Sequence, residues 1–249
     1  MIVLKTPTQL EGIRKANRLG AEFLQICYDY LKPGVVTIEL EELAIKFCEF
    51  RKVTPAFYKF NGFPCRLCVS VNDEVLHGFP SDKIIKEGDL VSVDFGINKD
   101  GYVSDSAFTK VIEFANEETR DLAKITKECL YRGIANAKIG NTIKDISNTI
   151  QDHAIKNNFD VIRDYVGHGV GLSLHEPPKI YNYVFNSMLN YELKPGMIIA
   201  IEPMLVSGSY DIYVDSNNWT VRTLDKSLSA HFEHSIAILE NGPEILSKL

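Results

Sequence analysis

Two acidic residues close strongly apolar runs, where a carboxylate is unusual. Asp94 ends L-V-S-V-D, and Glu202 ends M-I-I-A-I-E directly before Pro203. Both runs have the composition of buried strands, in which an unpaired carboxylate is costly or loses its charge. Two more acids lie on neighbouring predicted strands, Asp105 after a turn and Glu233 in A-H-F-E-H-S-I-A-I-L. These four carboxylates are the first candidates for chemistry.

The segment D-F-G-I-N-K-D-G-Y-V-S-D predicts how the first two acids meet. Asp100-Gly101 is a strong signal for a two-residue hairpin turn. If these residues form the turn, Asp105 lies opposite Gly96, and Asp94 is on the same face one diagonal away. Their Cβ atoms are then roughly 7 Å apart at most. A glycine at 96 is expected to leave the space between the carboxylates open.

A glycine-rich run supplies the histidines. Residues 165–178 read Y-V-G-H-G-V-G-L-S-L-H-E-P-P, with His168 and His175 seven apart. Each of the three glycines costs a helix about 1 kcal/mol, so this spacing is not two helical turns on one face. Backbone this permissive lets another group come close to it.

Four carboxylates and one imidazole form a hard, oxygen-rich set that suits Mn²⁺, Fe²⁺, Co²⁺ or Zn²⁺. One divalent ion would leave two negative charges buried, whereas two ions balance the set. Two metals roughly 3.5–4 Å apart can share a hydroxide and polarise a carbonyl, so the expected chemistry is hydrolysis. The alternative is four strand-end acids that are solvated or paired to lysine or arginine.

The chain repeats itself once, which indicates how such residues are brought together. K-E-G-D-L-V-S-V-D at 86–94 aligns without gaps with K-P-G-M-I-I-A-I-E at 194–202. Upstream, L-H-x-x-P occurs at 76–80 and again at 174–178. Each half therefore orders helices, a histidine, a glycine turn and a strand ending in an acid. A site on the axis between such halves would draw matching residues from each.

The elements that position these residues follow from periodicity. Helices are expected over 9–31, 37–50, 117–137 and 141–157, the second of them capped by Thr37. Strands are expected over 66–76, 90–96, 102–113, 197–206, 219–224 and 231–239. We therefore predict an α+β fold in one domain, 1–249, with pseudo-symmetric halves of about 1–114 and 115–249.

Composition excludes several function classes. The 249 residues are 45% hydrophobic and carry a formal net charge of −6, with no Lys/Arg block, which argues against nucleic-acid binding. No run approaches the ~20 apolar residues of a membrane span, and no secretory signal is visible. Five cysteines indicate reduced thiols in the cytosol. Cys65 and Cys68 form one C-x-x-C, a redox pair or half a zinc site in one interpretation and two small hydrophobes in the other, which we prefer.

The chain resembles the methionine aminopeptidases over nearly its whole length. Five residues, in the order of that family, match its metal ligands: Asp94, Asp105, His168 in G-H-G-V-G, Glu202 in I-E-P and Glu233 in F-E-H. The segments S-V-N-D-E-V-L-H-G and L-H-E-P-P resemble those that carry the family's substrate-contacting histidines. Only 34 residues separate His168 from Glu202, which leaves no room for the helical insertion of the type II enzymes and indicates type I.

The resemblance implies a pita-bread fold, with two pseudo-symmetric halves around a mainly antiparallel sheet and helices on the outer face. It also implies removal of the initiator methionine by a metal-bridging hydroxide that attacks the first peptide carbonyl. Asp94 would chelate one ion and His168 the other, Asp105 and Glu233 would bridge, and Glu202 would bind metal and shuttle a proton. The expected cofactors are two divalent ions, Mn, Fe, Co or Zn.

The same resemblance assigns the remaining site residues. His77 and His175 are expected to act on the substrate. The pocket for the methionine side chain is expected to contain Phe57, Phe60, Phe63, Cys68, Leu174 and Trp219. Several of these depart from the usual type I residues, and His231 replaces a usual glutamine. Because His231 lies two residues before Glu233, we expect it to contact a metal ligand without binding metal itself or to lie at the substrate entrance, with an outward-pointing ring as the alternative.

The expected substrates are the N-termini of nascent polypeptides with a small second residue. The expected setting is a cytoplasmic monomer without nucleic-acid or membrane contacts, and a location near the ribosome is one option. Two other functions stay open at this stage. One is a metallo-exopeptidase of the same fold that cleaves Xaa-Pro or dipeptides, and the other is a non-catalytic binding protein on this fold.

Overall fold

The computed structural model describes residues 2–248, which form four helices and fifteen short or medium strands. The helices are α1 (Pro7–Tyr30), α2 (Ile38–Arg51), α3 (Glu117–Asn136) and α4 (Ile143–Lys156). The strands of the first half are β1 (Thr54–Pro55), β2 (Cys68–Val71), β3 (Glu74–Leu76), β4 (Leu90–Lys99) and β5 (Tyr102–Val111). The next strands are β6 (Asp160–Val161), β7 (Gly167–Gly169), β8 (Glu176–Ile180), β9 (Ile198–Ile201) and β10 (Met204–Val206). The last are β11 (Ile212–Val214), β12 (Val221–Thr223), β13 (Ser229–His231), β14 (His234–Leu239) and β15 (Gly242–Ile245).

All four predicted helices are present, and the structure explains where they begin. The Thr6 hydroxyl accepts from the Gln9 amide and the Gln9 side chain accepts from the Thr6 amide, so a capping box starts α1 before Pro7. Thr142 starts α4 in the same way. Thr37 is the N-cap residue of α2, as predicted, but its side chain makes no capping hydrogen bond. Its hydroxyl bonds instead to the backbone of Ser81, because the loop at 81–85 packs against this helix start.

The predicted hairpin has the expected register. Gly96 pairs with Asp105 and Asp94 with Ala107 in the ladder between β4 and β5. The expectation of open space at Gly96 is wrong, because a Cβ atom there would lie 2.8 Å from the Phe57 ring and 2.7 Å from a backbone oxygen. An aromatic side chain thus occupies the gap that the missing side chain leaves.

The other predicted strands are shorter than expected where the chain must turn. The strand expected over 66–76 divides at Asn72, which has a positive φ of 59°, and 197–206 divides at Glu202 and Pro203. The strand expected over 231–239 also divides, leaving Glu233 between β13 and β14. Glu202 and Glu233 therefore lie at the ends of strands and outside them.

Two antiparallel sheets carry the site and meet edge to edge. One is built around β4, which pairs with β1, β2 and β5; the other has the order β15-β14-β9-β7-β8. Ala107 of β5 and Glu233 exchange two backbone hydrogen bonds, and the Ser235 hydroxyl donates to the Asp105 carbonyl at 2.7 Å. The four strands and segments that carry the acids are therefore joined by backbone hydrogen bonds. Every strand pairing within residues 2–248 is antiparallel.

Large apolar clusters fix the helices on these sheets. One joins α1 and α2 to β2 and β4 through fully buried residues such as Phe23 and Phe95, whose rings lie 4.3 Å apart. Another joins α3 and α4 to β9 and β14. The order of helices before strands recurs in both parts of the chain, as the predicted halves require, although the division at about 114 stays a prediction. Among residues 2–248 no helix is both long and apolar enough to cross a membrane.

The cysteines do not form a redox or structural metal site. All five are free; Cys68 is buried in β2, and Cys65 lies half-buried before that strand. Burial raises the pKa of the Cys65 thiol to about 11, which keeps it protonated and unreactive at neutral pH. Their use as small hydrophobic side chains is therefore the better interpretation.

Candidate metal centre

The five predicted ligands converge on one place in the fold. Asp94 and Asp105 extend from the β4–β5 hairpin, His168 from β7, Glu202 from the residue after β9, and Glu233 from the link between β13 and β14. Their ligand atoms fall into overlapping groups within 4.8 Å. One group is Asp94, Asp105 and Glu233, and a second is His168, Glu202 and Glu233. A third joins Asp105 and His168 to His175.

The imidazole of His168 presents its ring nitrogen to the acids in a defined way. Its Nδ1 donates to the Gly169 carbonyl at 2.9 Å. Its Nε2 lies 3.5 Å from an oxygen of Asp105 and 3.5 Å from an oxygen of Glu202. The backbone acceptor fixes the proton on Nδ1, so the lone pair of Nε2 points at the carboxylates. This is the orientation that a metal-binding histidine requires.

The buried acids have no protein cation to pair with. Among residues 2–248, no lysine or arginine forms an ion pair with any of the four carboxylates. One oxygen each of Asp94, Asp105 and Glu233 is buried without any hydrogen-bond donor. Leaving such atoms unsatisfied costs folding free energy, whereas divalent cations would satisfy all of them at once. The residues present thus fit a group of metal ions, and the alternative of ordinary paired acids is wrong.

The pKa shifts of the candidate ligands also favour bound cations. Burial, and then the charge of Asp94, raises the pKa of Glu202 well above its ordinary value. Burial also raises the pKa of Asp105 and of Glu233, and each is raised further by the neighbouring carboxylates. Acids held this close bind positive charge strongly, as protons or as metal ions. Burial lowers the pKa of His168 to about 4, which leaves the ring neutral and able to act as a ligand.

His175 lies beside the acids on the loop that follows β7. Its ring is 4.4 Å from the His168 ring and meets the edge of Phe60 at 5.2 Å, with the ring planes at 90°. Burial lowers its pKa, so the imidazole is neutral and carries one N–H donor. His77 approaches from another side of the same cavity. It has a positive φ of 56°, and the Thr220 hydroxyl donates to its carbonyl at 3.3 Å.

A buried ion pair braces the loop that carries His175. One oxygen of Glu176 accepts from the Leu172 and Ser173 amides at 2.7 and 3.0 Å. The other accepts from the Lys5 ammonium at 2.5 Å, and the Lys5 side chain is only 2% exposed. The segment before α1 is therefore joined to the loop that carries His175. Sequence reasoning missed this brace, and the adjacency of Glu176 to His175 was the one available signal.

All six predicted pocket residues line one cavity of about 760 Å³ together with the four acids and His168 of the centre. Phe63 meets Trp219 edge to face at 5.1 Å and Phe79 at 5.4 Å. The remaining wall includes Cys68 and Leu174, both buried. The wall of the cavity is thus mostly apolar, and the same cavity is lined by the candidate metal ligands. Tyr165, which our sequence prediction left out, also lines it and meets the His77 ring at 5.7 Å.

His231 faces the site, and the alternative of an outward ring is wrong. It is 2% exposed, and its Nε2 lies 3.9 Å from a Glu202 oxygen without a hydrogen-bond partner. Burial, and then His77, lowers its pKa to about 3. The ring is therefore a neutral group beside the acids.

Comparison with known proteins identifies the family. Residues 11–240 match metallopeptidase family M24. A methionine aminopeptidase of Clostridium acetobutylicum is 43% identical to the chain over 99% of both. The chain belongs to the methionine aminopeptidases of metallopeptidase family M24.

Solved structures of the family have the same fold. The crystal structure of a Thermotoga maritima methionine aminopeptidase is 41% identical, with a TM-score of 0.97 over the full length of both chains. A Pyrococcus furiosus prolidase is 26% identical with a TM-score of 0.77, and the similarity covers 66% of that longer chain. The predicted pita-bread fold and the predicted family are confirmed.

Proposed function

We propose that this chain removes the N-terminal methionine from polypeptides by metal-dependent hydrolysis. The observation that carries the proposal is the convergence of His168 and four carboxylates on one apolar cavity. Among residues 2–248, no lysine or arginine pairs with these carboxylates. The family supports it, since its members are metallo-exopeptidases. The cavity supports methionine as the first residue, because a thioether packs well against aromatic rings such as Phe63 and Trp219.

Five side chains would hold two divalent ions. Asp94 belongs only to the group with Asp105 and Glu233, and Glu202 only to the group with His168 and Glu233. Asp105, His168 and Glu233 each occur in two groups, and the resemblance to the family would make Asp105 and Glu233 the bridging ligands. Manganese, iron, cobalt or zinc all suit this donor set. Four negative charges balance two such ions.

When bound, such ions would supply a water of lowered pKa and polarise the scissile carbonyl. The chain's own residues do the rest. Glu202, whose carboxylate lies within 4.8 Å of ligand atoms of His168 and Glu233, would take up a proton. His175 donates its N–H to the carbonyl oxygen as negative charge develops there. His77, held by its backbone conformation and by Thr220, orients the peptide.

Two features of the cavity set its preference. The phenylalanine rings at 57, 60 and 63 make the pocket for the first side chain apolar, so methionine is expected to exceed leucine. Beyond the metal centre, His77, Tyr165 and His231 line the cavity, and we expect them to restrict the second residue to a small one. The substrates would be the N-termini of polypeptides that emerge from ribosomes in the cytoplasm, and the enzyme would be a monomer. Sedimentation tests the oligomeric state, and cell fractionation tests the location.

The first experiment measures turnover after reconstitution with manganese, iron, cobalt or zinc. Met-Ala-Ser should be cleaved and Ala-Pro should not; the reverse would identify an Xaa-Pro exopeptidase of the same fold. A protein that binds both ions but cleaves neither peptide would be a non-catalytic binding protein.

A second experiment tests the ligands. Asp105→Ala should lose both metal, measured by elemental analysis, and turnover. Asp82→Ala, which removes an exposed acid in no ion pair, is the control and should keep both. Full activity in Asp105→Ala would refute the dinuclear arrangement.

A further inference from the structure

The segment between β8 and β9 places large apolar side chains at the surface beside the catalytic cavity. Its residues 181–191, which we call the mouth loop, read Y-N-Y-V-F-N-S-M-L-N-Y. Leu189 is 68% exposed and Tyr191 is 40% exposed, and both line the catalytic cavity, as does Tyr181. Single exposed hydrophobic residues are common, whereas several that line one cavity mark a binding surface. We call Tyr181, Leu189 and Tyr191 the apolar platform.

Hydrogen bonds from the start of α4 hold the mouth loop in place. The first amides of a helix have no acceptor within the helix itself. In α4 the Ile143 amide donates to the Tyr191 carbonyl, and the Lys144 amide donates to the side-chain oxygen of Asn190, both at 3.0 Å. Leu189 directly precedes these two anchored residues. The apolar platform is therefore formed before a ligand binds, so that binding costs little conformational entropy.

The other side chains of the mouth loop face the core or one another. Tyr183 and Met188 pack against the apolar cluster that joins α3 and α4 to β9 and β14. The Tyr181 ring meets the edge of Phe185 at 4.9 Å, and the Tyr181 carbonyl accepts from the Ser147 hydroxyl at 2.6 Å. The two exposed side chains of the apolar platform, in contrast, keep a large part of their surface in water. Folding alone leaves them uncovered.

A polypeptide substrate has to leave the cavity past its exposed rim. Phe63 and Leu174 of the expected methionine pocket are buried, and the candidate metal ligands line the same cavity. The second residue of the substrate is expected to face His77, Tyr165 and His231. An extended chain advances about 3.3–3.6 Å per residue, so the third residue lies about 7 Å beyond the first. It is the first residue whose side chain has no place among the groups described above.

We propose that the apolar platform binds the side chain of the third residue of a polypeptide substrate and favours a large apolar one there. This assignment rests on the proposed function, because it requires a polypeptide whose N-terminus lies in the catalytic cavity. Leucine at the third position would remove the exposed surface of the platform from water, whereas serine has too little apolar surface to do so. Such contacts are the same in the ground state and the transition state, so they should lower KM and leave kcat unchanged.

Two peptides that differ at one position, Met-Ala-Leu-Ser and Met-Ala-Ser-Ser, test the platform. With the metal-loaded enzyme, kcat/KM for the leucine peptide should exceed that for the serine peptide by about tenfold, through KM. This is the lower end of what one apolar contact contributes to selectivity, because the platform is open to water on one side. Leu189→Ala combined with Tyr191→Ala should bring the ratio of the two kcat/KM values close to one. Loss of metal or of folded protein lowers both rates alike and does not change that ratio.

Ile155→Ala combined with Tyr213→Ala is the matched control. It removes one aliphatic and one tyrosine side chain that are similarly exposed outside the cavity, and it should keep the wild-type ratio. A ratio near one in the wild type, or a preference for leucine that survives in the platform variant, would overturn the proposal. A preference for leucine at the fourth position alone, in Met-Ala-Ser-Leu, would overturn it too. Cleavage of none of these peptides would overturn the proposed function together with the platform, whereas equal cleavage of all of them overturns only the platform.

Discussion

Replacing Lys5 by methionine should loosen the loop that carries His175. The Lys5 ammonium and the Glu176 carboxylate form a buried pair with side chains 2% and 8% exposed. Removing one partner of such a pair costs about 3–5 kcal/mol, because the other charge stays buried without compensation. Glu176 would keep its two amide donors from residues 172 and 173, so the lower end, about 3 kcal/mol, applies to Lys5→Met. In a chain of this length that corresponds to a fall in Tm of roughly 6–12 °C.

The converse change tests whether the pair acts as a unit. Glu176→Gln retains an oxygen for the two amides but leaves the Lys5 ammonium buried, with only the Val3 carbonyl near it at 3.2 Å. Its cost should be at least as large. The double variant removes both charges, so its cost should fall short of the sum of the single costs by about 2 kcal/mol or more.

The assay combines urea unfolding with kinetics on the metal-loaded proteins. We expect kcat for Met-Ala-Ser to fall in both single variants while metal content stays at the wild-type level, because the brace positions His175 and binds no ion. Lys15→Met, an exposed change on α1, is the control. Additive unfolding costs would refute the coupling, and a kcat equal to wild type in both single variants would refute the positioning role.

Four further outcomes follow from the site. His175→Ala should lose about 10²–10³ in kcat, the effect of one donor to a developing oxyanion, while keeping its metals; loss of metal with unchanged turnover per bound metal would make it a ligand instead. His77→Ala should lower kcat/KM while its metal content stays near the wild-type level. Because burial lowers the pKa of His231 to about 3, its ring is uncharged from pH 5 upward, and the kcat/KM profiles of wild type and His231→Gln should superimpose there; a difference near pH 6 would show a charged ring. Phe63→Ala should bring the rates for methionine and leucine substrates closer together, and an unchanged ratio would place Phe63 outside the pocket that selects the first residue.

Much of the centre was predictable because its signals are local or repeated. Acids at the ends of apolar runs are unusual in any strand, and their recurrence 108 residues apart, at Asp94 and Glu202, made chance a poor explanation. Asp100-Gly101 fixes a hairpin turn, and the turn fixes the pairing of Gly96 with Asp105. The sequence also predicted the four helices, since caps and apolar periodicity act within a few residues.

Other features depend on contacts between distant segments. Nothing near Thr37 indicates that its hydroxyl bonds to Ser81, and nothing near Gly96 indicates that Phe57 fills the space beside it. The Lys5–Glu176 pair joins residues 171 positions apart. These two residues meet only because the segment before α1 packs on the loop that carries His175.

By itself, the sequence determined which side chains this protein brings to its centre, because residue type and strand register are local properties of the chain. Only the tertiary structure decided their environment. The neutrality of His231 and the unpaired oxygens of the acids both arise from burial, which depends on every segment that covers a group. The free energy of a charge or hydroxyl is set by the water that folding removes, and no single stretch of sequence specifies that.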